Sequence, residues 1–142
     1  MCGIAGYIGK KQISKNAINK TLSLMKNRGP DNQDWCSFIA NDANVYLLHS
    51  RLSIIDLDER SNQPFSFNGY TLIFNGEIYN FIELRTELKK MGHVFITDSD
   101  TEVLIKAYVE YGRDCVKHFN GMWSFAIWDS KKEELFLSRA RL

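Results

Sequence analysis

Between Ser14 and Lys26 the apolar residues Ile18, Leu22 and Met25 recur at three- and four-residue intervals, which predicts an amphipathic helix with Ser14 as its N-cap. A second helix is predicted from Asn80, with Phe81, Leu84, Leu88 and Met91 on one face and Gly92 as its stop. Asn80 followed by Glu83 resembles a capping box. A third helix starts at Asp98 or Ser99 and turns Leu104, Ala107, Tyr108 and Tyr111 inward. The remaining apolar stretches are short and read as strands: 4–8 closed by Gly9, 35–40 and 44–49 joined by a turn at 41–43, 70–74 ending at Asn75-Gly76, and 94–96. A hairpin is predicted from 122–128 and 134–138 around Ser130-Lys131-Lys132. Arg28-Gly29-Pro30-Asp31 breaks the first helix, and the polar residues 56–69, with Pro64 and Gly69, read as a loop. Strands, then helices, then strands joined as hairpins predict an α+β fold of two antiparallel sheets with helices outside them. Arg139-Ala140-Arg141-Leu142 reads as a strand cut short.

Composition narrows the function classes. The chain has 142 residues, enough for one domain with a real core. Its 18 Lys and Arg against 17 Asp and Glu leave a net charge of +1, with the basic residues scattered. Neither nucleic acid nor a membrane surface is expected as a partner. No stretch approaches the roughly 18 apolar residues that span a bilayer, and the N-terminus lacks a secretory pattern, so the expected location is the cytoplasm. Three widely spaced cysteines (Cys2, Cys36, Cys115) form no C-x-x-C pair, so neither a disulfide framework nor a zinc site is expected. Cys36 and Cys115 read as core thiols. His49, His93 and His118 share no metal-ligand spacing and read as structural.

Cys2 carries the sharpest chemical signal, because loss of Met1 would make it the first residue. It would then hold a thiol and a free α-amine, and such an amine titrates at roughly 7.7–8.0. Nucleophile and general base would sit on one residue. The alternative is a small buried hydrophobe. Asn75-Gly76 reads either as a hairpin turn or as a carboxamide and a glycine N–H aimed together at an oxyanion. Arg51 follows a strand and is either a surface cation or a two-pronged clamp for a carboxylate. Asp98 and Asp100 either cap a helix or bind an ammonium group. Arg28 and Asp31 are expected to pair and stiffen their loop.

Several segments, taken in order, closely resemble the N-terminal glutaminase domain of glutamine-hydrolysing asparagine synthetases. They are Met1-Cys2-Gly3-Ile4-Ala5-Gly6, Arg28-Gly29-Pro30-Asp31, His49-Ser50-Arg51-Leu52-Ser53-Ile54-Ile55-Asp56 and Asn75-Gly76-Glu77-Ile78-Tyr79-Asn80. Ser99-Asp100-Thr101-Glu102, Gly121-Met122-Trp123-Ser124-Phe125-Ala126 and Leu137-Ser138-Arg139 complete the set. That domain is a class II glutamine amidotransferase of the N-terminal nucleophile hydrolase type, and the resemblance runs nearly the whole length.

The resemblance implies a four-layer αββα sandwich. It implies that Cys2 attacks the side-chain amide of glutamine, that Asn75 and the Gly76 N–H hold the oxyanion, and that Arg51 grips the α-carboxylate. Glu77 and Asp100 would bind the α-ammonium, and backbone carbonyls near Ile54 and Ile55 would line the pocket. No metal or cofactor is implied for this domain. ATP and Mg are implied for a synthetase domain, the expected partner that would consume the ammonia and is absent from these residues. Ala140 stands where the family carries Asp, and residues 1–142 are expected to be a type-2 glutaminase domain incomplete at its C-terminus. An incomplete sheet would leave an edge open to a homo-oligomer. The alternatives are a non-catalytic binding fragment, or an amidotransferase serving a sugar or a cell-surface precursor.

Overall fold

The computed structural model describes residues 2–140. The state of Met1, on which a free Cys2 amine depends, lies outside the described residues, as does the end of the strand read at 139–142.

Strand β1 (Gly3–Gly9) lies antiparallel to β3 (Ala43–Arg51), which also pairs with β2 (Asn32–Ala40), giving the order β1-β3-β2. The β2–β3 turn closes with Ala40 opposite Ala43, and Asn41 takes a φ of 49°, a conformation Asn tolerates well. The second sheet has the order β4-β5-β6-β7, with β4 at Phe65–Phe67, β5 at Tyr70–Ile78, β6 at Gly121–Asp129 and β7 at Glu134–Arg139. Helix α1 spans Lys15–Met25, α2 Phe81–Lys90 and α3 Asp100–Tyr111, the last followed by a 3-10 segment at Gly112–His118.

Three buried clusters account for the layering. Ile18 and Leu22 of α1 pack on Tyr46 and Leu48 of β3. Strand alternation sends the intervening Val45 and Leu47 to the opposite face, where they meet Ile73, Ala126 and Trp128 of the second sheet. The outer face of that sheet carries Leu72, Phe74, Ile78, Phe125 and Ile127, covered by Leu84 and Leu88 of α2 and by Leu104 and Ala107 of α3. Helix, sheet, sheet, helix is the αββα order, with α1 on one outside and α2 and α3 on the other. An apolar groove of about 560 Å³ runs between β1 and β7, the two edge strands on one side of the sandwich.

The structure departs from the sequence pattern in four places. Residues 65–67 form β4 within the expected loop, because Phe65 and Phe67 find partners in Leu72 and Tyr70. Strand β5 runs on through Asn75-Gly76 to Ile78, its register with β6 unbroken down to Ile78 opposite Gly121. Residues 94–96 are not a strand: side chains take their polar groups, with Lys106 donating to the Val94 carbonyl and Glu102 accepting from the Ile96 N–H. Asn80 makes no capping bond on α2, because its carboxamide joins the His118 carbonyl and the Asn120 N–H across the fold. Ser14 and Ser99 do cap α1 and α3, accepting from the Ala17 and Glu102 N–H groups. Among the described residues, no helix is long and apolar enough to cross a membrane.

Candidate active site

The site follows from where β4 stops. Phe65 pairs with Leu72, so from Phe74 onward that edge of β5 has no strand beside it. A cavity of about 220 Å³ opens there, walled by Phe74, Gly76 and Glu77 of β5 and by Ser99, Asp100 and Thr101 at the start of α3. Cys2, Arg51, Leu52, Ile54 and Ile55 enclose it from the side of the first sheet.

Cys2 immediately precedes β1 and is partly exposed. The Leu52 N–H donates to its Sγ at 3.4 Å, and the Arg28 Nε–H donates to its carbonyl at 3.1 Å. These bonds hold the thiol against the segment that follows β3. Asp31 accepts from the Ser53 N–H at 2.7 Å, so Arg28 and Asp31 do not pair as expected: each braces a different strand end. Gly29 between them has no room for a side chain, since a Cβ would stand 2.2 Å from the Ser50 carbonyl oxygen.

Arg51 is 5% exposed, at the end of β3 on the face turned to the second sheet. Its guanidinium donates to the carbonyls of Ile55, Asp56 and Asp58 and to Asn62 Oδ1. Four of its five N–H directions thus tie down the loop that carries Ile54 and Ile55, leaving Nε–H uncommitted. Asp56 anchors the same loop. Burial would raise its carboxyl, but bonds from the Asp98 and Asp58 N–H groups, with Arg60 nearby, outweigh that and hold it below the ordinary range.

Asp100 is 6% exposed and accepts from the Ile78 N–H at 3.1 Å. Burial pushes its carboxyl up to about 6, and the Glu77 charge adds to the rise. Two carboxylates therefore face one cavity, Asp100 deep and Glu77 exposed, an arrangement that favours a cation between them. Behind Asp100, Glu102 and Lys106 form a buried pair at 2.9 Å, and Lys106 also lies over the rings of Phe67 and Phe95. Burial alone would raise Glu102, but Lys106 and the N–H and hydroxyl of Thr97 outweigh it and lower its pKa. Arg85 donates to the carbonyls of Thr97 and Ser99, completing the frame around the start of α3.

Gly76 lines the cavity, whereas Asn75, two residues after the inward-packed Ile73 and so on the same face of β5, is not part of the wall. Asn75 Oδ1 is buried without a partner among the described residues. A Cβ on Gly76 would stand 2.1 Å from the Met122 carbonyl oxygen, at a φ of 154°, so close strand packing excludes any other residue. Strand alternation turns the N–H groups of Phe74, Gly76 and Ile78 to the same side. Gln63 Oε1 accepts from Phe74 at 2.6 Å and Asp100 accepts from Ile78, so the Gly76 N–H between them is the one presented to the cavity.

Cys2, Arg51, Ile54, Ile55, Gly76, Glu77 and Asp100 thus converge on one cavity, with Asn75 adjacent. Gln63 and Thr101 also line it, joined by a 3.2 Å bond, and His49 reaches the Phe74 carbonyl at 3.1 Å from β3. The sequence reads His49 as structural and gives no role to Gln63 or Thr101. His49 carried one usable signal, its two-residue spacing from Arg51 on a strand, which puts both on one face. Gln63 carried none. Among the described residues, no group of three His, Cys, Asp or Glu is placed to hold a metal ion.

A family model described as a glutamine amidotransferase domain matches residues 1–142. The chain is 41% identical to glutamine-hydrolyzing asparagine synthetase 3 of Bacillus subtilis, the match covering 100% of this chain and 24% of that protein. It is 40% identical to putative glutamine-hydrolyzing asparagine synthetase 2 of Methanocaldococcus jannaschii, covering 100% of this chain and 30% of that one. The chain therefore spans less than a third of the length of these relatives. Among solved structures it is similar to the glutamine phosphoribosylpyrophosphate amidotransferase from B. subtilis complexed with ADP and GMP. The TM-score is 0.52 and the identity 25%, over 61% of this chain and 21% of that chain.

Proposed function

The chain belongs to the glutamine amidotransferase domain family, and from that premise we propose that it hydrolyses glutamine to glutamate and ammonia with Cys2 as nucleophile. The observation that carries the proposal is the convergence of a thiol, a buried guanidinium, two carboxylates and a strand-edge N–H on one cavity of about 220 Å³. A free amino acid with a side-chain amide complements each of these groups.

Arg51 binds the α-carboxylate through its uncommitted Nε–H and through whichever carbonyl bonds it exchanges. Asp100 and Glu77 bind the α-ammonium. The extended side chain then carries its amide carbon to Cys2 Sγ. With Met1 removed, the Cys2 α-amine takes the thiol proton as the C–S bond forms, and returns it to the departing nitrogen. The oxyanion is held by the Gly76 N–H and by the Asn75 carboxamide once its NH2 end is turned to the cavity. Ammonia leaves a γ-glutamyl thioester, and water, deprotonated by the same amine, releases glutamate and restores the thiol.

We propose that the ammonia is passed to an ATP- and Mg-dependent synthetase domain that amidates aspartate or a related carboxylate. The names of the relatives at 41% and 40% identity support that acceptor. The reaction fits the cytoplasm, where thiols stay reduced. The test is to measure glutamate released from glutamine by wild-type protein and by Cys2→Ala, both folded and with Met1 removed from the wild type. The proposal requires release by the first and none by the second, and equal release by both would refute it.

A further inference from the structure

An antiparallel strand beside β5 beyond Phe65 would pair with Phe74 and Gly76 alike, and would leave no donor for a ligand. The chain solves this differently. Pro64 stands just before β4, whose pairing with β5 stops at Phe65 opposite Leu72, and beyond that point two side chains replace the strand at one residue only. Gln63 Oε1 accepts from the Phe74 N–H at 2.6 Å, and His49 Nε2 meets the Phe74 carbonyl at 3.1 Å. A carbonyl only accepts, so the imidazole proton sits on Nε2. Both side chains are buried, His49 at 0% and Gln63 at 5% exposure.

Each is anchored in an element that carries a substrate-facing group. His49 lies on β3, opposite Ile4 of the strand led by Cys2 and two residues before Arg51. Gln63 donates to Thr101 Oγ1, next to Asp100 on α3. The peptide of Phe74 is thereby clamped against both halves of the cavity, and the next amide on that edge is Gly76.

We propose that His49 and Gln63 are positioning residues that replace a strand along the β5 edge and so hold the Gly76 N–H where the oxyanion develops. The inference rests on the glutaminase reading and adds two residues that never touch the reacting atoms. It is tested with side chains that differ in reach. His49→Asn and Gln63→Asn are too short to meet Phe74, whereas His49→Gln keeps an N–H and Gln63→Glu keeps an acceptor at the original length.

The readouts are kcat and KM for glutamine, and inhibition by an aldehyde analogue of glutamine, whose adduct with Cys2 places an oxygen at the oxyanion position. Each shortened variant should lose about 10–100-fold in kcat, somewhat less than deletion of an oxyanion donor, with KM within about twofold. Affinity for the aldehyde should fall in parallel, and the reach-preserving variants should recover most of both. Shortened variants with unchanged kcat, or with losses confined to KM, would overturn the inference while leaving the glutaminase reading intact. If the shortened variants do not fold, the reach-preserving pair decides: near-wild-type kcat supports the inference, and folded protein with tenfold lower kcat overturns it. A wild type with Cys2 exposed and no glutaminase activity would overturn the underlying reading itself.

Discussion

On the proposed reading, Asp100 should make glutamine binding sensitive to acid, in a way that can be worked out in advance. Its carboxyl is pushed up to about 6 by burial and by the Glu77 charge, from an ordinary 3.8. The ammonium and carboxylate of glutamine stay charged through pH 5–7.5, so the pH dependence belongs to the protein. If the ionised form binds the ammonium, about 90% of the protein is competent at pH 7 and about 10% at pH 5, a loss of roughly tenfold in affinity. Bound glutamine must correspondingly pull the Asp100 pKa down and release a proton near pH 6. Without ligand the sign is opposite: the folded state takes up the proton first. The stability Asp100 contributes is therefore full below pH 4 and is lost as pH rises through about 6. Calorimetric titration of Cys2→Ala with glutamine at pH 5, 6 and 7 reads both the affinity and the proton released. Asp100→Asn should flatten the profile and weaken binding at pH 7 by about 2–3 kcal/mol, on the order of 10²-fold. A flat profile in the Cys2→Ala protein, or a profile that survives Asp100→Asn, would refute the assignment of Asp100 to the ammonium.

Other positions give equally direct outcomes. Gly76→Ala puts a Cβ 2.1 Å from the Met122 carbonyl oxygen, so it should separate β5 from β6, lower the unfolding temperature and abolish turnover; a stable, active variant would contradict the register described. Lys106→Met leaves the Glu102 carboxylate buried without its cation and should cost about 3–5 kcal/mol in denaturant unfolding, with Glu102→Gln in the same chain restoring part of the loss. His49 is driven down to about 4 by burial, with Arg51 adding to the fall, and is therefore neutral in the folded protein. The unfolded chain takes up that proton first, so His49 should cost stability on the order of 3 kcal/mol as pH falls from 6.5 to 4. Unfolding curves of His49→Gln should lack that part of the acid loss.

Local pattern carried the architecture further than the site. Ile18 and Leu22 of α1, the alternation of β3 and the β6–β7 hairpin all depend on near neighbours, and their periods are visible in the chain. What the pattern missed is non-local. Residues 94–96 look like a strand because they are apolar, yet their polar groups are claimed by Glu102 and Lys106 of α3. Asn80 and Glu83 have capping-box spacing, but the Asn80 carboxamide is taken by residues 118–120. Asn75-Gly76 resembles a turn in isolation, and only the register with β6 shows that it continues a strand. The cavity residues Cys2, Arg51, Gly76, Glu77 and Asp100 were legible as ordered motifs resembling a family. Gln63 was not, and His49 was legible only as a structural residue two positions before Arg51, because their contact with Phe74 depends on where β4 stops.

The central claim is that a processed Cys2 hydrolyses glutamine in this cavity. Intact mass of the purified protein, followed by a glutamate-release assay on the same sample, tests it most directly. The account predicts a mass lacking Met1 and steady production of glutamate from glutamine. A mass lacking Met1 with no glutamate formed, in protein that is folded, would contradict it.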